Sequence, residues 1–187
     1  LRDRRSGVQV GFIQGGTTTK EESPQVESLG TVFFEPLWMF YRNGIGRDIE
    51  AFRGRRVSIG PEGSGGRALT LEILRRTKVD GVVGELLGFP PEEAADKLIA
   101  GEIAIAFIVS GWDSPVVRRL MEADGIEVVS VPRPDALVAL YPFLNKVVLP
   151  AGVADLAANR PPVDTILLAP KASLAVRGDL HSAIQYL

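Results

Sequence analysis

The residues best suited to chemistry form a glycine-rich turn, GPEGSGGRA, which begins at Gly60 and leads from an apolar run into a helix. Amide hydrogens in the first turn of a helix lack intrahelical acceptors, and glycines such as Gly65 and Gly66 let a ligand approach them closely. Ser64 adds a hydroxyl group, and Arg67 adds a guanidinium that can pair with a carboxylate. The turn therefore predicts a site for a small anion, although a tight turn capped by Ser64 explains the same residues equally well.

Two nucleotide-binding motifs do not fit this turn. No lysine follows the glycines, as it does in the phosphate-binding loop GxxxxGK[ST], and the spacing does not match GxGxxG. Arg67 also has an ordinary alternative role as a solvated side chain at the start of the helix. Residues in the neighbouring loops are therefore needed to distinguish a binding site from an ordinary tight turn.

A second loop, SGWDSP at residues 110–115, combines small residues, an aromatic residue and a helix start. In an open α/β sheet, ligands bind beyond the carboxyl ends of the strands, where both loops are expected. Gly111 and Trp112 could therefore face the same ligand, although packing beneath a helix is the commoner role of a lone tryptophan. Asp113 is interpreted as a helix cap rather than an acid catalyst.

The chain offers little for catalysis or metal binding. It has no cysteine and a single histidine, His181, which we interpret as an ordinary polar position in a helix. The loops expected at the site contain two acidic residues that could act as catalysts, Glu62 and Asp113. We therefore predict no catalytic residue, no metal site and no cofactor.

Composition excludes two classes of partner. The 187 residues are 45% apolar, which is ample for a core, and 21 basic residues nearly balance 23 acidic ones. This charge provides no positive field for nucleic acid, and no apolar run reaches the roughly 20 residues that span a membrane. Because the chain begins at Leu1, with neither a methionine nor a signal peptide, we expect it to be a piece of a longer protein.

Hydrophobic patterns predict an α/β domain with a largely parallel sheet. Strands are expected at residues 56–60, 79–83, 103–109 and 126–131, in alternation with helices at residues 67–76, 91–100 and 115–123. A further strand is expected at residues 8–13, and the polar residues 17–28 are interpreted as a surface loop.

Two long apolar segments, residues 29–42 and 164–177, are each interrupted by a proline, Pro36 and Pro170. Because proline cannot donate to a strand ladder, Pro36 is expected at an edge, a bulge or a point where the chain passes between sheets. Two such crossings predict two lobes, with Trp38 either in the cleft between them or in the core. The expected domains are residues 1–38 (a remnant of the first lobe and the first crossing), 39–165 (the second lobe) and 166–187 (the return crossing).

Six segments together resemble the TAXI-type solute-binding receptors of tripartite ATP-independent periplasmic (TRAP) transporters and cover nearly the whole chain. They are VGFIQGG, SLGTVFFEPLWMFYR, RGRRVSIGPEGSGGRAL, LIAGEIAIAFIVSGW, YPFLNKVVLPAGV and PPVDTILLAPKASLAVRGDLH. The resemblance implies a two-lobed periplasmic-binding-protein fold of type II, whose cleft holds a small carboxylate such as glutamate or a dicarboxylate. It also implies an extracytoplasmic location, with any membrane anchor outside this chain, delivery of the solute to a membrane permease, and no catalysis.

The resemblance implies roles for individual positions as well. Gln14 and Gly15 would belong to a contact loop of the first lobe, and Trp38 to the first crossing. The residues of the second lobe that would hold the anion are Ser64, Gly65, Gly66 and Arg67, with Gly111 and Trp112 in the opposing loop. Two departures remove side-chain donors or acceptors: Gly66 stands where many members have threonine or another polar residue, and glycines follow Gln14 where serine and aspartate are common.

Other functions fit the same residues. A ligand-sensing domain of a transcription regulator, or an enzyme built on the type II fold, would share the architecture. A structural protein with a vestigial cleft is suggested by Gly66 and by the glycines that follow Gln14. The receptor is the leading hypothesis because the loops at the site supply no convergent acid, base or nucleophile.

Overall fold

The structure is a computed structural model that describes residues 1, 4–45 and 49–179. Its helices and strands, in chain order, are β1 (Val10–Gln14), β2 (Val26–Phe34), β3 (Leu37–Arg42), β4 (Arg56–Ser58), α1 (Gly65–Arg76), β5 (Glu85–Leu87), α2 (Pro91–Ala100), β6 (Ile105–Val109), α3 (Pro115–Glu122), β7 (Ile126–Val128), α4 (Pro134–Leu140), β8 (Leu144–Leu149) and β9 (Thr165–Arg177). His181 lies outside the described residues, as does the end of the expected return crossing.

The central sheet has the strand order β5-β4-β6-β3, and β7 also pairs with β3. Strand β4 is parallel to β5 and β6, whereas β3 is antiparallel to β6 and β7. The prediction of a largely parallel sheet was therefore wrong for β3. Strand β3 precedes the alternation of strands and helices that begins at β4, so it lies outside the pattern of helical crossovers on which the prediction of parallel neighbours depended.

Both faces of this sheet are covered, which explains why all five residues from Leu37 to Tyr41 are buried. Alternate side chains of a strand point to opposite faces. Leu37, Met39 and Tyr41 join the core beneath α1 and α4, and Trp38 and Phe40 join the core beneath α2 and α3. The continuous apolar run is thus a strand between two helical layers.

Strand β9 connects the central sheet to a second sheet. From Thr165 to Pro170 it pairs with β8, and from Lys171 onward it pairs with β2 on one side and, from Ala172, with β1 on the other. Pro170 does not interrupt the strand, because it lies where one ladder ends and the next begins.

Pro36 lies between β2, in the outer sheet, and β3, in the central sheet. The Glu35 amide, one residue earlier, donates to the Pro170 carbonyl at 3.2 Å. The prediction that Pro36 marks a passage between sheets is confirmed, and the two crossings lie side by side.

The helix ends lie within two residues of the positions predicted from local sequence signals. Helix α2 occupies the predicted residues 91–100 and ends at Gly101, which has a φ of 80°, as glycine after a helix often does. Ser114 caps α3 by accepting a hydrogen bond from the Val117 amide at 3.4 Å. Helix α1 begins at Gly65, two residues before the predicted start, so Gly65 and Gly66 belong to its first turn.

Three other expectations were wrong. Residues 79–83 form turns, because Val79 packs in the core as the chain leaves α1, and the strand follows as β5. Residues 26–28, expected in a loop, belong to β2. Helix α4 and strand β8 were not predicted, and they are held by packing on β9 and pairing with it.

Candidate functional site

A cavity of about 200 Å³ lies beyond the carboxyl ends of the parallel strands β4 and β6, where α1 begins. We call it the α1 cavity; its lining residues are Gln14, Glu35, Ile59, Gly60, Pro61, Ser64, Gly65, Gly66, Phe89, Pro91, Phe107, Ile108 and Val109. Sites for small ligands in α/β sheets lie at this edge. The cavity is below the roughly 300 Å³ of drug-sized pockets, so it suits a small solute.

The start of α1 borders this cavity with its backbone. Ser64 has extended dihedral angles, and its Oγ accepts a hydrogen bond from the Arg67 amide at 3.1 Å, so it caps the helix as the turn predicted. The amides of Gly65 and Gly66 have no acceptor among the described residues, because they belong to the first turn. Two free donors at the positive end of the helix dipole thus line the wall of a cavity.

Gln14, at the end of β1 in the outer sheet, reaches across to this turn. A Cβ atom at residue 65 would lie 2.5 Å from Gln14 Oε1, and one at residue 66 would lie 3.0 Å from a methyl group of Val109. The turn is therefore rich in glycine because other side chains press on it from two directions. The buried Gln14 Nε2 has no hydrogen-bond partner among the described residues, which leaves a third donor unsatisfied at the cavity.

Arg67 points to a different side of the turn. Its Nη1 donates to the Gly60 carbonyl at 3.1 Å, and the residue is not among those that line the α1 cavity. This bond ties the helix start to the end of β4. The guanidinium is thus beside the turn, with its present partner in the backbone.

The glycines after Gln14 are explained by a neighbouring aromatic ring. A Cβ at Gly15 or Gly16 would lie 2.7 Å or 2.5 Å from atoms of Phe143. The Gly15 amide donates to the Lys171 carbonyl at 2.7 Å, which fixes the end of β1 against β9. Gly15 lies next to the cavity without lining it.

Trp38 and the loop after β6 form a packed unit outside the α1 cavity. Trp38 is 1% exposed, and its Nε1 donates to the Ser110 carbonyl at 2.9 Å. Its ring lies 5.9 Å from that of Trp112, centre to centre, and the Ser110 amide donates to the Pro36 carbonyl at 3.2 Å. Ser110 and Trp112 therefore contact the first crossing, and Gly111 lies between them in the chain, two residues after Val109 of the cavity wall.

Sequence reasoning missed Glu35 and the aromatic walls, Phe89 and Phe107. Glu35 is partly buried and is one of the residues that line the α1 cavity. A signal was present, since Glu35 is an acidic residue inside an apolar run, directly before the proline of a predicted crossing. Phe107 is buried and carried no such signal, because its run reads as an ordinary core strand.

The largest pKa shift lies away from the cavity, between α1 and α4. Glu72 accepts hydrogen bonds from the Tyr141 hydroxyl and from Arg76 Nε, the latter at 3.0 Å. The Tyr141 bond, with help from the guanidinium groups of Arg76 and Arg75, lowers the pKa of Glu72 to about 2. Burial, and then the bond to Glu72, raise the pKa of Tyr141. This cluster joins two helices and contacts no residue of the site.

Within the described residues, no group of three or more histidine, aspartate or glutamate side chains is placed to hold a metal ion. No helix in the same residues has the length and apolar character needed to cross a bilayer.

A comparison with known protein families assigns most of the chain. The profile of the NMT1-like family matches residues 13–187. The chain belongs to the NMT1-like family. The match includes both crossings and every residue that lines the α1 cavity, from Gln14 to Val109.

Solved structures share the fold of this NMT1-like chain. An ancestral arginine-binding protein bound to arginine has a TM-score of 0.56 at 17% identity, over 98% of this chain and 63% of that one. The GluR0 ligand-binding core from Nostoc punctiforme, in complex with L-glutamate, has a TM-score of 0.51 at 16% identity, over 94% and 62%. A structure describing glutathione import via GshT and the cystine ABC importer TcyBC of Streptococcus mutans has a TM-score of 0.57 at 10% identity, over 97% and 61%.

These similarities establish the fold of the NMT1-like chain. It is a mixed α/β fold with a curled sheet, of the type II periplasmic-binding-protein class, as predicted. The chain spans about three fifths of the length of these structures. The chain therefore contains a part of this fold.

Proposed function

We propose that this chain is the solute-binding part of an extracytoplasmic receptor that captures a small carboxylate and delivers it to a membrane permease. The observation that carries the proposal is the cavity wall made by the free amides of Gly65 and Gly66, with the unsatisfied amide of Gln14 from the other sheet beside it. The resemblance to TAXI-type receptors supports a TRAP transporter as the destination. In this role the protein binds its solute without catalysis.

The proposed binding chemistry depends on the first turn of α1. Its amides and the helix dipole attract negative charge, and the apolar walls at Phe89 and Phe107 exclude water and so strengthen that attraction. The Ser64 oxygen already accepts the capping bond, so its hydroxyl hydrogen is free to donate to a solute. A carboxylate would thus meet three donors from one turn and a fourth from Gln14.

The proposed domains are those expected from the sequence, residues 1–38, 39–165 and 166–187. Support comes from the two crossings, which are bonded to each other through Glu35 and Pro170. A pair of adjacent crossing strands is a suitable hinge, because bending there moves one sheet against the other without disturbing either core. Closing the hinge would press Gln14 towards Gly65.

The remaining proposed site residues support the contact between Gln14 and Gly65. Arg67 would provide positive charge and hold the turn through Gly60. Gly15 would fix the end of β1, while Trp38, Gly111 and Trp112 would hold the first crossing against the loop after β6. They are proposed as binding residues in this supporting sense, with Ser64, Gly65, Gly66 and Gln14 in direct contact with the solute.

The deciding experiment identifies what the full-length protein binds. We expect calorimetric titration with a panel of small carboxylates, including L-glutamate and 2-oxoglutarate, to find saturable binding. Mass spectrometry of the denatured protein should identify a carboxylate that co-purifies with it. Absence of binding across the panel, together with an empty extract, would favour the vestigial cleft. A helix-turn-helix encoded upstream would instead favour the regulator.

A further inference from the structure

Among the described residues that line the α1 cavity, Glu35 alone has a charged side chain. Its carboxylate makes no hydrogen bond and no salt bridge within the described part of the chain. Its backbone is fixed, because the amide donates to the Pro170 carbonyl at the paired crossings. A partly buried, unpaired carboxylate is therefore held at the wall of the cavity.

The lining of the α1 cavity thus carries polar groups of opposite character. The amides of Gly65 and Gly66, with the buried Nε2 of Gln14, present donors that have no acceptor in the described structure. Glu35 presents an acceptor that has no donor. Because unpaired polar groups are costly when a site closes, the solute that fits must satisfy both the donors and the acceptor.

We propose that Glu35 determines specificity by receiving an ammonium group, so that the cavity selects a small zwitterion with a carboxylate and an ammonium over a dicarboxylate. This inference rests on the proposed function, since the carboxylate end of the solute is the one assigned there to α1. A second carboxylate beside Glu35 would meet a like charge in a site with little water, which raises the cost of binding. An ammonium there would form a charge-assisted hydrogen bond.

The test compares pairs of probes that differ at the amino group. L-glutamate is compared with 2-oxoglutarate, and L-alanine with pyruvate, by calorimetric titration of the full-length protein. We expect each amino acid that binds to bind at least about tenfold more tightly than its oxo acid, as loss of a hydrogen bond to a charged group implies. In E35Q the ratio of the affinity for the amino acid to the affinity for its oxo acid should fall about 10- to 100-fold. The affinity for the oxo acid itself should stay the same or rise.

E62Q is the matched control, because Glu62 is an exposed acidic residue of the glycine-rich turn before α1 and does not line the cavity. The same substitution there should leave the ratio unchanged. Retained binding of an oxo acid by E35Q, or an unchanged thermal unfolding curve, shows that the variant is folded.

The outcomes separate the two proposals. If wild-type protein binds carboxylates but prefers the oxo acids, or if E35Q keeps the wild-type ratio, the role of Glu35 is overturned and the carboxylate receptor stands. If no carboxylate of either kind binds to wild-type protein, the proposed function fails and this inference fails with it.

Discussion

The side chain of Gln14 lies against the backbone of Gly65, so close that a Cβ atom at residue 65 would come within 2.5 Å of Gln14 Oε1. The two residues are far apart in the chain and belong to different sheets. Their contact joins the end of β1 to the start of α1. It makes the glycine at position 65 a requirement of tertiary packing, and it predicts how the site responds to substitution.

Gly65→Ala should weaken binding of the carboxylate probe about tenfold, roughly 1.4 kcal/mol, while changing stability little. The new methyl group must displace the flexible end of Gln14 and the methyl group of Thr17, which lie 2.5 Å and 2.8 Å from the Cβ position. Alanine gains up to about 1 kcal/mol of helix propensity in compensation. Calorimetric titration and thermal unfolding measure the two effects. Gly81→Ala is the control, because a Cβ at residue 81 meets no atom within 4 Å. Wild-type affinity in Gly65→Ala would show that Gln14 does not touch the solute.

Ser64→Ala and Ser114→Ala should cost the same stability but differ in binding. Each serine caps a helix through one hydrogen bond, at 3.1 Å and 3.4 Å, so each alanine should lower the free energy of unfolding by about 1 kcal/mol. Ser64 alone of the two lines the α1 cavity, and its loss should weaken carboxylate binding by about 1–3 kcal/mol. Equal affinities in the two variants would move the site away from this turn.

Arg67→Ala should also weaken carboxylate binding by about 1–3 kcal/mol, because it removes a positive charge beside the turn and the bond to the Gly60 carbonyl. Arg56→Ala is a suitable control, since Arg56 is exposed and pairs with Glu85 away from the cavity. Titration at low and high salt tests the role of charge, and the loss in Arg67→Ala should shrink as salt rises. An affinity equal to that of wild type at both salt concentrations would remove Arg67 from the site.

Acid should destabilise the protein partly through Glu72. Its pKa is about 2 in the folded protein and near 4.5 without its partners, so the stabilisation is complete above about pH 5 and is lost as the pH falls towards 2. Because the pair is partly exposed to solvent, we expect a contribution of about 1–2 kcal/mol. Urea unfolding at pH 6 and pH 3 should show a smaller acid loss for Glu72→Gln than for wild type. A matching loss in both proteins would exclude Glu72 as a source of acid sensitivity.

The helices were predictable because their signals are local. Pro91 at the start of α2, Gly101 after its end and Ser114 before α3 act within one turn of the backbone that they cap. The strand expected at residues 79–83 failed for the opposite reason. Its valines suit a strand, but Val79 is drawn into the core at the end of α1, and tertiary packing outweighs β-propensity in so short a segment.

The position of the candidate site was predictable from the sequence, but the roles of several of its residues were not. The glycine turn, the cap at Ser64 and the position of the loop at the carboxyl ends of the strands follow from residue types and from the α/β pattern. The roles of the individual glycines could not be predicted from residue types. Gly15 and Gly16 leave room for Phe143, and Gly65 leaves room for Gln14. Glu35 was not predicted as a site residue, because no role can be assigned to an acidic residue in an apolar run until its neighbours in the cavity are known.

The sequence by itself determined the fold class, the helix ends, the two proline crossings and a helix start with free amides, because each depends on residues close together in the chain. The tertiary structure alone decided that β9 pairs with strands of both sheets, that Gln14 meets Gly65 and that Glu35 faces the same cavity. Those relationships join residues far apart in the chain. They depend on the register and curl of two sheets, which no local pattern specifies.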